Sequence, residues 1–261
     1  MPETFLSDKN PLLKDVRYAA QHGSLTKDGL ALAEGPHLLE EALRSDAVIH
    51  SIIVAESARA QPSEFGVGPH TRVIPVTDVT FAGLSSTETS QGILTLVRPQ
   101  TWTPDQLLSA PASLLIVLDG VQDPGNAGAI LRAAEAFAAT GAIFLKGSVN
   151  PYNPKCLRGS AGSIFRIPLT AGVSAEVFLK AAQKLILFAA DPRATTTPAE
   201  SKLDQPCALL IGAEGRGLSP ALSGRSTGIR IPTSNVESLN AAVAAGILLY
   251  EARRQRASPS A

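Results

Sequence analysis

Three short stretches in the second half of the 261-residue chain hold polar residues at spacings that suit chemistry. The first is Asn126-Ala-Gly128-Ala-Ile-Leu-Arg132-Ala. Ile130, Leu131, Ala134, Phe137 and Ala138 form a helical apolar stripe, and Arg132 sits about 200° around the helix from Ile130, so its guanidinium is free to face a solvent cleft. An ordinary exposed arginine, with Asn126 as the helix cap, accounts for the same spacing. The second is Gly212-Ala-Glu214-Gly215-Arg-Gly217-Leu-Ser219 after a buried run. Its glycines let backbone approach a ligand closely. Glu214 would repel a phosphate and suits a cation or a hydroxyl donor; a tight turn with a capping serine is the plainer reading. The third runs from Ile231-Pro232-Thr233 to Glu237-Ser238-Leu239-Asn240. Capping of the following helix explains Ser238 well and Asn240 less well. The small residues Ala241, Ala242, Ala244, Ala245 and Gly246 then allow a close helix neighbour.

The elements that must position these residues alternate. In the first hundred residues the pattern predicts helices over 9–22, 36–45 and 77–85 and strands over 30–35, 47–56, 72–76 and 91–99, a small α/β domain. Residues 99–113 hold three prolines and read as a linker with a helical turn at 104–108. Beyond it, 114–121 is a continuous apolar run of the buried parallel kind. A helix over 124–140 stopped by Gly141, strands over 142–147, 167–169, 184–191, 207–215 and 228–232, helices over 153–165 and 174–183, and a last helix over 237–256 started by Glu237/Ser238 complete a βα succession. The tail after Arg256 reads as frayed. The expected domains are 1–99, a linker at 100–112, and 113–261.

Composition mostly excludes. Hydrophobic residues make up 44% and charged residues 18%, too apolar for disorder. The N-terminus shows no secretory pattern, and no apolar run of about 18 residues spans a membrane, so a cytoplasmic location is expected. Cys156 and Cys207 lie far apart, and His22, His37, His50 and His70 show no ligand spacing, so neither a disulfide scaffold nor a metal site is expected. The glycine spacing is neither the dinucleotide fingerprint nor a Walker loop, which argues against a nucleotide-binding oxidoreductase.

Together the three stretches resemble the motifs of the SpoU (TrmH) family of RNA 2′-O-ribose methyltransferases, in order and spacing over about residues 112–256. Residues of about 28–98, through LALAEGPHLLEEAL and LSSTETSQGILTLV, resemble that family's L30e-like substrate-binding domain. Two positions depart from the family pattern: Thr233 stands where methionine is usual, in a loop to Ser-Leu-Asn at least one residue short, and Ala241 stands where valine is usual. The resemblance implies a SPOUT-type Rossmann-like parallel sheet with a C-terminal deep trefoil knot. It implies S-adenosylmethionine as methyl donor, with Leu210, Gly212, Gly217, Ile231 and Leu239 at the donor site. It implies Arg132, Asn126, Glu214, Ser238 and Asn240 as the catalytic set, and a homodimer formed through the catalytic domain. The implied activity is methyl transfer to a ribose 2′-hydroxyl of structured RNA, ribosomal or transfer RNA, with the extra domain favouring ribosomal RNA. The alternative is a catalytically silent RNA-binding relative.

The chain's charge balances at 23 Lys+Arg against 23 Asp+Glu. Split at Pro111, however, the first part holds 8 against 13 and the second 15 against 10. RNA phosphates are therefore expected on the second part, at Arg132, Arg158, Arg166, Arg193, Arg216 and Arg225, with Lys9, Lys14 and Arg17 as the candidates on the first.

Overall fold

The computed structural model describes residues 6–45 and 47–257. The tail at 258–261 lies outside them. The chain divides into two compact units: Met1–Gln100 with Tyr152–Phe165, and Thr101–Pro151 with Arg166–Ala261.

The first unit opens with α1 (Pro11–His22), which starts where the Asn10 side chain accepts from the Leu12 amide at 2.9 Å and stops at Gly23 in the left-handed conformation. Then come β1 (Ala31–Glu34), α2 (Pro36–Arg44), β2 (Val48–Ala55), α3 (Gln61–Glu64), β3 (Arg72–Val76), α4 (Asp78–Ala82) and β4 (Ile93–Arg98). The strands form one sheet in the order β1-β4-β2-β3, with only the β2–β3 pair parallel. Leu13, Val16, Leu39, Ile52, Phe81 and Leu94 fill its core.

The second unit contains α5 (Pro104–Leu108), β5 (Leu114–Asp119), α6 (Pro124–Ala136) and β6 (Gly141–Leu145). The chain then leaves it for α7 (Pro154–Ser160) of the first unit, and returns for β7 (Leu169–Val173), α8 (Ala175–Ala181), β8 (Ile186–Ala190), β9 (Cys207–Gly212), α9 (Pro220–Ser223), β10 (Thr227–Ile229) and α10 (Ala241–Ala257). Its six strands pair in the order β10-β8-β9-β5-β6-β7, every pair parallel. Every residue of β5 is buried, as a central strand of a covered parallel sheet requires. Parallel strands end at the same edge, so the turns after β5, β9 and β10 gather there. No helix among the described residues is long and apolar enough to cross a membrane.

Several boundaries differ from the sequence reading, each for a local reason. The helical turn expected at 104–108 does form, as α5, held by a reciprocal cap between Thr103 and Gln106, with Leu107 in the core. Gly141 does not stop α6. The helix ends at Phe137, Ala138 takes the left-handed turn at φ 58°, and Gly141 opens β6. A Cβ there would lie 3.1 Å from the Pro168 carbonyl, so the glycine serves strand packing. The last helix starts at Ala241 rather than at Glu237/Ser238. At its far end Arg256 donates to the carbonyls of Ala112, Ser113, Leu203 and Gln205, which ties α10 to the approach of β5 and the loop before β9.

Residues 153–165, expected as one helix, fold as α7 and a short 3-10 turn over Ser163–Phe165, both in the first unit. A buried carboxylate holds them there. Glu34, at the end of β1 and only 7% exposed, accepts from Ser85, from the main chain of Ser86 at 2.9 Å and its hydroxyl at 2.6 Å, and from Thr87 at 2.9 Å. Arg158 of α7 lies 3.6 Å from the same carboxylate and donates to Ser86 at 2.6 Å. Burial alone would raise the Glu34 pKa, but these hydrogen bonds together outweigh it and hold the group below its ordinary 4.5. The depressed folded-state value means that the group stabilises the fold fully above the ordinary value and loses that contribution as pH falls through the lowered one. Glu34→Ala is expected to cost about 2–4 kcal/mol in urea unfolding at pH 7. The gap to wild type should narrow as unfolding is repeated at pH values falling below 4.5.

Candidate active site

The site is built from the ends of β5, β9 and β10. After β5, Gly120 turns the chain at φ 76°, and Asp123, not Asn126, caps α6 by accepting from the Asn126 amide at 2.7 Å. This frees the Asn126 side chain. Its Nδ2 donates to Glu214 Oε1 at 2.8 Å, and its Oδ1 accepts from Asn240 Nδ2 at 2.9 Å. Asn240 Oδ1 in turn accepts from the amides of Ala242 at 2.9 Å and Val243 at 3.3 Å, so Asn240 is the cap of α10.

These bonds form a chain with one direction. An ionised carboxylate only accepts, so the Asn126 amide nitrogen must face Glu214 and its oxygen must face Asn240. Donors then run from the positive end of α10 through two amides to the carboxylate, and each bond polarises the next. One residue from each of the three stretches is thereby joined.

Glu214 is carried by a turn that closes on itself. Ala213 and Gly217 exchange main-chain bonds of 3.1 and 2.8 Å, with Gly215 and Gly217 at φ 80° and 70°. The turn folds so tightly over Gly212 that a Cβ there would lie 2.3 Å from the Gly217 carbonyl carbon. Leu210 is buried, Gly212 half-buried and Gly217 exposed. The exit of the turn is held by Asp119 at the end of β5, whose Oδ2 accepts from the Ser219 amide at 2.6 Å.

After β10 the chain runs irregularly from Ile231 to Asn240. No main-chain amide from Ile231 to Leu239 has a hydrogen-bond partner among the described residues, and Thr233 Oγ1 closes a local turn onto the Val236 carbonyl at 2.8 Å. Ile231 and Leu239 are half-buried, so two apolar side chains flank a run of unpaired backbone donors. That combination suits a flat heterocycle read by main chain.

Not all the expected residues join the network. Arg132 is exposed and has no ion-pair or hydrogen-bond partner among the described residues; Ser238 is likewise exposed and unpartnered. Asp119 and Asp123, which the sequence reading passed over, both position motif residues. Their one sequence signal is an acid at the end of an apolar run and an acid directly before a proline.

The division into two units also redistributes the charge of the sequence. The unit that includes Tyr152–Phe165 holds 10 Lys+Arg against 12 Asp+Glu, and the other 13 against 11, so most of the contrast between the two parts of the sequence disappears. Arg158 pairs with Glu34, Arg166 with Glu135, Arg193 with Asp191 and Arg17 with Asp8. Arg132, Arg216 and Arg225 are exposed without an ion pair among the described residues. No group of three or more His, Cys, Asp or Glu among them is gathered so as to hold a metal ion.

Comparison with known proteins identifies the family. The SpoU rRNA Methylase family profile matches residues 113–250, the span that contains the whole network. The chain belongs to the SpoU rRNA methylase family. Residues 10–95 match the MRM3-like substrate binding domain. An uncharacterised tRNA/rRNA methyltransferase of Synechocystis sp. is 36% identical over 260 residues, covering 96% of this chain and 93% of its own. The 23S rRNA (guanosine(2553)-2′-O)-methyltransferase RlmP of Bacillus subtilis is 31% identical, covering 95% and 98%. The crystal structure of an AdoMet-bound rRNA methyltransferase from Sinorhizobium meliloti superposes with a TM-score of 0.84 at 26% identity, covering 98% of this chain and 99% of that one. The sheet and helices described above are thus those of a SPOUT methyltransferase.

Gly212→Ala tests the closed turn. The added methyl has backbone in its place, and overpacking of this kind costs about 1–3 kcal/mol. Urea unfolding should read that loss, while far-ultraviolet circular dichroism stays as in wild type.

Proposed function

We propose that this protein transfers a methyl group from S-adenosylmethionine to a ribose 2′-hydroxyl of structured RNA, ribosomal RNA before transfer RNA. The observation that carries this reading is the Glu214–Asn126–Asn240 chain, which joins all three family motifs at one edge of the sheet. The RNA class is supported by the substrate-binding domain match and by the rRNA 2′-O-methyltransferase among the relatives. A silent relative would have no need of this network, and nothing observed favours one. The C-terminal segment is proposed to form the deep trefoil knot that the family likeness implies, and the protein to work in the cytoplasm.

The donor site is proposed at Leu210, Gly212, Gly217, Ile231 and Leu239. The loop from Ile231 to Leu239, whose main-chain amides have no partner among the described residues, and the glycine turn would hold the donor by main-chain contacts. S-adenosylmethionine would supply an electrophilic methyl group and leave as the neutral thioether, so the chain itself needs only to bind, orient, stabilise charge and let the 2′-hydroxyl proton pass to solvent. Arg132 is proposed to act as a charged donor, to a substrate phosphate and to the oxygen as negative charge develops on it. Keeping it neutral as a base at pH 7 would cost roughly 7.5–9 kcal/mol. Glu214 fixes Asn126, and Asn240 holds it from the other side. Ser238, exposed at the same loop, is available to the substrate.

The assembly is proposed to be a homodimer through the catalytic unit. Val243, Ile247 and Tyr250 recur at i, i+4 and i+7 on α10 and are 50%, 38% and 56% exposed, while the Tyr250 ring meets the edge of Phe137, the capping residue of α6, at 5.7 Å. An exposed apolar stripe of this kind matches a two-fold interface in which each copy covers the other.

Arg132→Ala should bind S-adenosylmethionine as wild type does and lose roughly 100- to 1,000-fold in methyl transfer. The assay uses labelled S-adenosylmethionine with total rRNA and tRNA, followed by mapping of the modified ribose; retained turnover would defeat the Arg132 assignment. Replacing Val243 and Tyr250 together with aspartate should halve the mass seen by sedimentation and abolish turnover.

A further inference from the structure

Asp119 is the last residue of β5 and lies in register with Gly212, the last residue of β9. It is 8% exposed, and its recorded partner is the main-chain amide of Ser219 at 2.6 Å, one hundred residues away. Between Gly212 and Ser219 lies the closed turn that carries Glu214. Its entry is pinned by the ladder between β5 and β9, and its exit by the Asp119 carboxylate. Both ends of the turn are thus referred to the same residue. The Ser219 hydroxyl is buried and has no partner among the described residues, and the Ser219 carbonyl accepts from the Leu222 and Ser223 amides of α9, so the main-chain bond to Asp119 is the polar contact that joins the exit to the end of β5. Gly215 and Gly217 favour a left-handed backbone without fixing it. The Ala213–Gly217 pair closes the turn on itself, and the ladder and the Asp119 carboxylate hold the closed turn against the end of β5.

We propose that Asp119 is a positioning residue for the methyl donor: through the Ser219 amide it sets the Gly212–Ser219 turn, and with it the donor-facing backbone and the placement of Glu214 against Asn126. This rests on the reading of that turn as part of the S-adenosylmethionine site. What the position requires is an acceptor oxygen at the end of β5. An asparagine offers one with nearly the same reach, and an alanine offers none.

The test compares Asp119→Ala and Asp119→Asn with wild type in the full chain. Three readouts are needed: calorimetric affinity for S-adenosylmethionine, hydrogen exchange of the ligand-free protein, and separate KM values for donor and RNA. Asp119→Ala should weaken donor binding by about tenfold or more. It should raise the donor KM in parallel and leave the RNA KM within about twofold. Exchange should quicken at residues 213–219 while β5 and β9 stay protected. Asp119→Asn should return all three to near wild-type values. Wild-type affinity in Asp119→Ala, exchange that opens β5 and β9 as well, or failure of Asp119→Asn to rescue would each overturn the proposal. If wild type itself fails to bind S-adenosylmethionine, the donor reading of the turn falls. Exchange at 213–219 in the ligand-free protein would still judge the hold of Asp119 on it.

Discussion

A carboxylate that can only accept sets the order of this site. Because Glu214 has no proton to give, the Asn126 amide can meet it in one orientation, and that orientation fixes what Asn240 must present. Asn240 satisfies the demand with the same amide that caps α10, so the helix start, the asparagine pair and the glycine turn are a single arrangement. The long helix contributes its partial positive end to a chain that terminates on a negative charge. Elements far apart in sequence are thereby given a common reference at the carboxyl edge of a parallel sheet, where the fold class places its ligands.

Much of this was legible from residue order, within physical limits. The exposure of Arg132 followed from the helical step between it and Ile130. The buried strand at 114–119 followed from an unbroken apolar run. Asn126 could not be resolved in the same way: cap and functional residue look alike on paper, and Asp123 three positions earlier turned out to be the cap. Its bonds to Glu214 and Asn240 span 88 and 114 residues, and no local pattern encodes such distances. The start of α10 was misplaced because Glu237 and Ser238 have capping chemistry, yet Asn240 holds the helix amides. A glycine after an apolar helical run reads as a stop signal, but at Gly141 the demand was for a strand with no side chain in the way of Pro168.

Charge shows the same limit on a larger scale. A cut along the sequence at Pro111 gives an acidic part and a basic part. That contrast weakens once Lys155 and Arg158 are counted with the unit in which they fold, and weakens again for binding once ion pairs occupy several arginines. Three of the six arginines expected to meet a polyanion are thus already paired, so electrostatic recognition here rests on placement more than on net charge.

The stretch from Tyr152 to Phe165 has one more consequence. It lies in the sequence between β6 and β7 of one unit and folds into the other, with Arg158 against the buried Glu34. The two units therefore do not correspond to two uninterrupted lengths of gene. A recombination at the proline-rich joint near residue 100 would separate β1 from α7, which packs against it, and leave a carboxylate built for a partner without one. A clean exchange of the front half would have to carry the Tyr152–Phe165 stretch with it.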